Sequence, residues 1–113
     1  MKENIIVSKS INFSVTILKF CTALNGKKQF IISNQLLKSG TSIGANVYES
    51  QDAESKLDFI HKMKIASKEA SETFYWLTIC ERLEDIEVPP ETFDELKQIR
   101  SILGRIITTS KKS

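Results

Sequence analysis

The chain has 113 residues, of which 41% are hydrophobic and 27% are charged, and its formal net charge is +2 at pH 7. This length fits one domain, and the hydrophobic content is too high for a disordered chain. The near-neutral charge argues against a protein that coats nucleic acid without specificity, although it is compatible with a local basic patch. We therefore predict a single globular domain over residues 1–113.

Four segments with helical periodicity follow one another along the chain. Apolar residues recur at steps of three and four, the spacing of one helix face, over residues 4–25, 29–51 and 53–84 and again from about Pro90. Pro89 and Pro90 are the only prolines, so the stretches on either side are free to be helical. Helices of this length joined by short loops lie antiparallel to their neighbours. We predict an all-α, antiparallel up-down four-helix bundle.

The residues expected in the core share this periodicity. They are Phe13, Ile17, Phe20 and Leu24 in the first segment, Ile32, Leu36, Ser39, Ile43 and Val47 in the second, Phe59, Met63, Ala66, Ala70, Thr73, Leu77 and Cys80 in the third, and Leu96, Ile99, Leu103 and Ile106 in the fourth. Ser55 followed by Asp58 is an acidic variant of a capping box, which favours the start of a helix there.

The two cysteines and the first residues bear on the cellular compartment. Cys21 and Cys80 belong to no CxxC or Cys/His cluster, which favours free, buried thiols in a reducing cytoplasm over a disulfide. The first ten residues lack the apolar region of a secretory signal, and no apolar run approaches the ~18 residues of a membrane span. We expect a cytoplasmic protein that does not associate with a membrane.

Two glycines inside the second segment suggest close helix packing. Gly40 and Gly44 are four residues apart, and each costs about 1 kcal/mol relative to alanine in a helix. They share one face and leave a shallow trough, where another helix of the same chain or of a second chain can approach. A phosphate-binding loop is the less favoured alternative, because the spacing matches no such motif and no strand precedes it.

The third segment carries a second apolar stripe beside its core face, with two glutamates on the same side. Two apolar faces on one helix exceed what a monomeric four-helix bundle buries, so the stripe predicts a subunit interface, the alternative being a broad core face. The predicted interface residues are Ile65, Glu69, Glu72, Trp76, Ile79 and Leu83, together with Gly40 and Gly44.

A basic stripe lies on the remaining face of the third segment. His61, Lys64 and Lys68 recur at helical spacing, and Tyr75 continues the line. Lysines in line with an aromatic side chain can follow a nucleic-acid backbone, although such a stripe is also typical of a solvated surface. With Lys38 of the second segment added, these residues are the nucleic-acid-binding candidates.

Catalytic and metal-binding patterns are weak throughout. A di-iron bundle needs two Glu-x-x-His motifs, whereas the chain has one histidine, His61, and the nearest match begins at Asp58. Cys21 and Cys80 fall on core stripes, and no serine lies in a nucleophile elbow. We predict a protein that is not an enzyme and has no metal or cofactor.

Two stretches carry a family resemblance. Residues 35–49 read QLLKSGTSIGANVYE, and residues 65–77 read IASKEASETFYWL, with an Asp-Phe pair between them at Asp58. They closely resemble the four-helix bundle proteins encoded in intervening sequences of bacterial 23S rRNA genes, and the resemblance covers nearly the whole chain. Lys38 stands where that family usually has arginine, and Tyr48 stands where alanine is common.

The resemblance implies an antiparallel four-helix bundle that assembles into a homopentameric ring. The accessory variability protein of diversity-generating retroelements is similar, and it is a basic pentamer that binds nucleic acid and a reverse transcriptase. Two hypotheses follow for this chain. One is a homo-oligomeric module that binds RNA or DNA through basic faces, and the other is a protein-interaction scaffold without a nucleic-acid role.

Overall fold

The structure, a computed structural model, describes residues 4–112, which form four α-helices. They are α1 (Ile5–Gly26), α2 (Phe30–Ser50), α3 (Lys56–Glu81) and α4 (Pro90–Lys112). Each helix packs against the next along the chain, and α4 returns to α1, so the helices occupy the corners of a four-cornered bundle 47 Å long. The predicted all-α, antiparallel four-helix bundle is confirmed.

The helix ends follow local capping chemistry. The amide N–H of Asp58 donates to Ser55 Oγ at 3.0 Å, as the predicted capping box requires. The Asp58 carboxylate accepts from the amide of Glu54 at 3.2 Å, one residue before the expected position. The prediction was wrong about the length of α3, which ends at Glu81. Leu83 therefore lies in the turn that follows the helix.

One apolar core runs between the four helices. Every residue predicted in it is buried or packs against it, and Phe59 and Ile106 are the two that stay partly exposed. Sequence periodicity therefore located the core correctly.

Polar side chains in the core are paired. Thr73 Oγ1 lies 3.0 Å from Ser39 Oγ across the α2–α3 contact. Cys21 Sγ and Ser33 Oγ each donate to the other's main-chain carbonyl at 3.3 Å and so join α1 to α2. Both cysteines are free and buried, as predicted, and burial raises the pKa of Cys80 to about 11.

The glycine trough of α2 is filled by α1 of the same chain. A Cβ on Gly40 would lie 2.9 Å from Ile17 Cγ1, and a Cβ on Gly44 would lie 3.1 Å from Ser14 Oγ and 3.2 Å from the carbonyl oxygen of Ser10. Both glycines are buried, so packing within the chain is the alternative that the structure supports. Because α1 occupies the trough, we correct the assignment of Gly40 and Gly44 to a surface that meets another subunit.

Helix α1 is more apolar than its sequence reading indicated. It is 22 residues long and passes a length and composition test for a membrane span, contrary to the expectation that no segment approaches one. This is weak evidence for a span, since core helices of soluble bundles pass the same test, and α1 packs against α2 and α4. Only 33% of its most apolar stretch is buried, so much of its apolar surface faces outward.

Candidate interaction surfaces

The predicted basic stripe lies on the outside of α3. His61, Lys64, Lys68 and Tyr75 are all exposed, and 56% of Tyr75 is accessible. None of these side chains takes part in the core. The structure therefore leaves them free to meet a ligand, as the sequence prediction required.

Helix α4 adds a second row of cations beside this stripe. Lys97, Arg100 and Lys111 are exposed and recur on one helix face at steps of three and eleven residues. That face is turned toward α3, because the Arg100 guanidinium carbon lies 5.3 Å from the centre of the Phe74 ring and Arg100 Nη2 lies 3.4 Å from Ser71 Oγ. Arg100 thus lies beside the exposed side of α3, and Lys97, three residues before it, also borders the groove lined by Lys9 and Gln98 between α1 and α4.

We call this surface the α3/α4 basic face. Its members are Lys64, Lys68, Lys97, Arg100 and Lys111, with Phe74 and Tyr75 as exposed aromatic side chains.

On α4, the acidic residues precede the cations of the α3/α4 basic face. The three acidic residues of α4, Glu91, Asp94 and Glu95, all precede its first cation, Lys97. This order places acids at the positive end of the helix dipole and bases toward the negative end. Sequence analysis missed the contribution of α4 to the basic face, although this separation of charge along the helix was a readable signal.

Lys38 does not join the basic face. It lies on α2, where its charge acts on Glu69 of α3. Partial burial and the neighbouring Glu72 raise the pKa of Glu69, and Lys38 and Lys68 lower it. Lys38 therefore lies on the α2/α3 side of the bundle, and Lys68, which acts on the same carboxylate, lies at the border between that side and the basic face.

The second stripe of α3 faces the same α2/α3 side. Ile65, Trp76 and Ile79 are partly exposed, and the indole N–H of Trp76 donates to Glu72 Oε2 at 3.1 Å. Trp76 and Ile79 also pack against the core, as the alternative of a broad core face requires, and the subunit interface stays a prediction.

We call this surface the α2/α3 face. Its members are Ile65, Glu69, Glu72, Trp76 and Ile79 of α3, with Ile31 and Lys38 of α2. Ile31 is 85% exposed and shares a side of α2 with Lys38 at a spacing of seven residues.

A third surface, on α1 and α2, was missed by sequence analysis. Ile11, Val15 and Leu18 of α1 are 45%, 45% and 49% exposed, and Phe30 and Tyr48 of α2 are 54% and 61% exposed. Other uncharged residues share the same sides of the two helices, namely Thr22, Asn34, Leu37, Thr41 and Ala45. We call these ten residues the α1/α2 apolar face.

The contacts of α1 explain why these side chains point outward. Ser14 and Ile17 face α2, and Lys9 Nζ lies 2.7 Å from Gln98 Oε1 of α4. Val15 and Leu18 lie on neither the α2-facing nor the α4-facing side, and so they are on the outer side of α1. The sequence did carry a signal for this face, namely a second series of apolar residues at helical spacing beside the series that forms the core.

Metal-binding clusters and grooves are the features of the structure that bear on catalysis. Residues 4–112 contain no group of three or more His, Cys, Asp or Glu side chains able to hold a metal ion. A groove of about 220 Å³ between α1 and α4 is lined by Lys9, Asn12, Glu95, Gln98 and Ile99. Lys9 Nζ donates to Gln98 Oε1 there at 2.7 Å.

These features define a class: a small all-α, antiparallel four-helix bundle with one basic and two partly apolar outer faces. The sequence model of the 23S rRNA-intervening sequence protein family matches residues 2–109, and the chain belongs to that family. No curated protein matches the chain.

A solved structure supports the same placement. It is a protein of unknown function from the S23 ribosomal protein family of Bacteroides thetaiotaomicron, 40% identical to this chain. The two superpose with a TM-score of 0.82, and the alignment covers 90% of this chain and 97% of that one.

Proposed function

We propose that this chain is a non-enzymatic, cytoplasmic, homo-oligomeric module that binds RNA or DNA through its α3/α4 basic face. The observation that carries the proposal is that exposed cations of two neighbouring helices, α3 and α4, lie on adjoining sides of these helices, with two exposed aromatic rings among them. Two free, buried cysteines support the reducing compartment. A pentamer is the assembly implied by the family resemblance.

The chemistry of the basic face suits a phosphate backbone. Cations three or four residues apart on a helix are separated by roughly 5–6 Å, so several can meet one strand at once. Each phosphate they neutralise releases counterions, which makes the affinity salt-dependent. Tyr75, which is 56% exposed, offers a ring on which an unpaired base can stack.

Assembly would strengthen such binding. The net charge of one chain is only +2, so one copy exerts a weak long-range field. Copies held together present several basic faces to one polyanion, and linked sites raise the overall affinity without any new contact. The proposal therefore combines weak binding by the basic face of one copy with multivalent binding by the whole assembly.

The test compares two double variants that each remove two exposed charges. Lys64→Gln with Lys97→Gln removes two cations of the basic face, whereas Lys19→Gln with Lys28→Gln removes charge from α1 and from the loop between α1 and α2. Binding is measured by fluorescence anisotropy with structured RNA and with duplex DNA over a series of salt concentrations.

We expect the basic-face variant to bind at least about tenfold more weakly and to lower the log–log salt slope by about one for each lysine lost from each copy in contact. The control variant should change far less. Binding that is undetectable for the unaltered chain at low salt, or that weakens equally in both variants, rules the proposal out.

A protein-interaction scaffold without a nucleic-acid role is the second candidate. The uncharged α1/α2 apolar face favours it, because a nucleic-acid backbone makes few favourable contacts with an apolar surface. Capture of one defined partner that survives nuclease treatment, together with unaltered capture by the Lys64→Gln, Lys97→Gln variant, would support the scaffold over the nucleic-acid module.

A further inference from the structure

The side chain of Arg100 is held in place by two residues of α3. Its guanidinium carbon lies over the Phe74 ring, 5.3 Å from the centroid, and its Nη2 donates to Ser71 Oγ at 3.4 Å. The Phe74 ring in turn makes an edge-to-face contact with Phe93 of α4, with the centroids 5.8 Å apart. The guanidinium is therefore already ordered although Arg100 is exposed, so a ligand that binds it loses little affinity to the ordering of this side chain.

The charge of Arg100 is not paired with a carboxylate of residues 4–112. The one salt bridge in this part of the chain joins Lys62 to Glu49 at 3.0 Å, on the α2/α3 side of the bundle. A guanidinium presents five N–H donors in one plane, and Ser71 accepts from one of its nitrogens. The remaining donors suit a phosphate group, because two of them can bind two of its oxygens at once.

Ser71 places Arg100 beside the basic stripe of α3. Lys64, Lys68, Ser71 and Tyr75 are exposed and recur at steps of four, three and four, so they follow one line along the outside of the helix. Tyr75 lies four residues beyond Ser71, which is about 6 Å along the helix axis. Because Arg100 contacts Ser71, it meets this line between Lys68 and Tyr75.

Tyr75 is a flat side chain that is exposed on a firm support. It is 56% exposed, and its ring meets that of Trp76 at a centroid distance of 4.9 Å and an interplanar angle of 71°. Trp76 packs against the core, and its indole N–H donates to Glu72 Oε2 at 3.1 Å. An exposed aromatic ring beside cations is the type of side chain on which a nucleobase stacks.

Stacking on Tyr75 requires a base whose flat face is uncovered. In a duplex each base is stacked between its neighbours and paired across the helix, so a side chain on the outside of a bundle meets the sugar–phosphate backbone. In a single strand a base can turn out of the stack and lie on an aromatic ring while its phosphate meets a nearby cation. The combination of Arg100 and Tyr75 therefore favours an unpaired strand, whereas lysines alone bind the backbone of either form.

From these contacts we infer that Arg100, Ser71 and Tyr75 form a subsite for one nucleotide of a single strand of RNA or DNA. Arg100 and Ser71 hold the phosphate, and the base stacks on Tyr75. Lys68 and Lys64 continue along α3 and neutralise the phosphates that follow. The inference rests on the nucleic-acid binding of the proposed function, and it names the substrate class as single-stranded rather than duplex.

Four variants and two forms of one oligonucleotide test the inference. Tyr75→Leu removes the ring, and Arg100→Lys keeps the charge but removes the planar donors and the contact with Phe74. Tyr48→Leu and Arg105→Lys are the matched controls, because both residues are exposed and lie outside the subsite. Fluorescence anisotropy measures binding to a labelled strand that does not pair with itself and to the duplex with its complement. Circular dichroism checks that each variant stays helical.

We expect the unaltered chain to bind the single strand at least about tenfold more tightly than the duplex, which is the size of effect that stacking of one base produces. Tyr75→Leu should weaken single-strand binding about tenfold and leave duplex binding nearly unchanged. Arg100→Lys should weaken single-strand binding several-fold with the same log–log salt slope, since the number of charges is unchanged. The two controls should leave both affinities unaltered.

Three results would overturn the inference while the nucleic-acid function stands. The first is equal binding of strand and duplex by the unaltered chain, and the second is an equal loss in Tyr75→Leu and Tyr48→Leu or in Arg100→Lys and Arg105→Lys. The third is competition by a free mononucleotide that equals competition by the strand at the same nucleotide concentration, which would make the ligand a nucleotide rather than a strand. If neither strand nor duplex binds the unaltered chain at low salt, the proposed function fails and the inference fails with it.

Discussion

Ile17 of α1 fills the space directly above Gly40 of α2. A Cβ added to Gly40 would lie 2.9 Å from both Ile17 Cγ1 and Ile17 Cγ2, closer than real Cβ contacts come. Ile17 is fully buried and has no room to retreat. The absence of one methyl group on α2 therefore sets how closely α1 and α2 pack.

Gly40→Ala should destabilise the bundle by about 1–3 kcal/mol, because overpacking outweighs the gain in helix propensity. Gly104→Ala is the matched control. Gly104 is also inside a helix, but no atom lies within 4 Å of its Cβ position, so alanine should add up to about 1 kcal/mol of stability. Urea unfolding followed by circular dichroism measures both. Equal effects of the two substitutions would contradict the close contact.

The Ser39–Thr73 pair should behave as a unit. Thr73→Val removes one hydroxyl and leaves that of Ser39 buried without its partner in α3, which should cost about 1–3 kcal/mol. Adding Ser39→Ala to Thr73→Val should cost less than the sum of the single changes, since both groups are then gone. The free energy of unfolding of the three variants forms the cycle, and strict additivity would show that the two hydroxyls do not interact.

Glu69→Gln should raise stability at neutral pH. Burial and Glu72 raise the pKa of Glu69 in the folded chain, so its ionised form is less favourable there than in the unfolded chain. Stability from this group is present at low pH and is lost as pH rises through the raised pKa. The gain from Glu69→Gln should therefore vanish below about pH 4, where the carboxyl is protonated in both states. Thermal melts at several pH values measure the difference, and Glu54→Gln, at an exposed position, is the control.

Cys80 should react slowly with thiol reagents in the folded protein. Burial raises its pKa to about 11, so at pH 8 almost none of it is thiolate. Labelling with a disulfide reagent should be slow without urea and fast in urea, where the thiol regains its ordinary pKa. Because the pKa of Cys80 is higher in the folded than in the unfolded chain, ionisation of Cys80 also lowers the free energy of unfolding as pH rises from about 9 toward 11. Fast labelling of Cys80 in a Cys21→Ser background without urea would contradict its burial.

The helices and the core were predictable because their signals are local. Spacing of three and four marks a helix face whatever surrounds it, and Ser55 caps α3 through its own neighbour Asp58. The length of α3 was misjudged because its apolar stripe continues to Leu83 beyond the last helical residue, Glu81. The spacing of apolar residues does not by itself show where a helix ends and the backbone turns.

The same limit applies to the surfaces. The sequence placed Lys64 and Lys68 on one side of α3 correctly, because one helix fixes their relation. The rotation of each helix in the bundle decides that Lys97 of α4 lies beside them and that Lys38 of α2 does not. The residue periodicity of one helix does not show how that helix is rotated about its axis relative to the others.

The residue sequence by itself therefore determined that this protein is a four-helix bundle, which residues fill its core and to which family it is similar. Tertiary structure alone decided that the glycine trough of α2 receives α1, that α3 and α4 join their cations, and that Val15 and Leu18 stay outside. The physical reason is that helix formation follows from neighbours three or four positions apart. The composition of an outer face follows from the packing of helices distant in sequence.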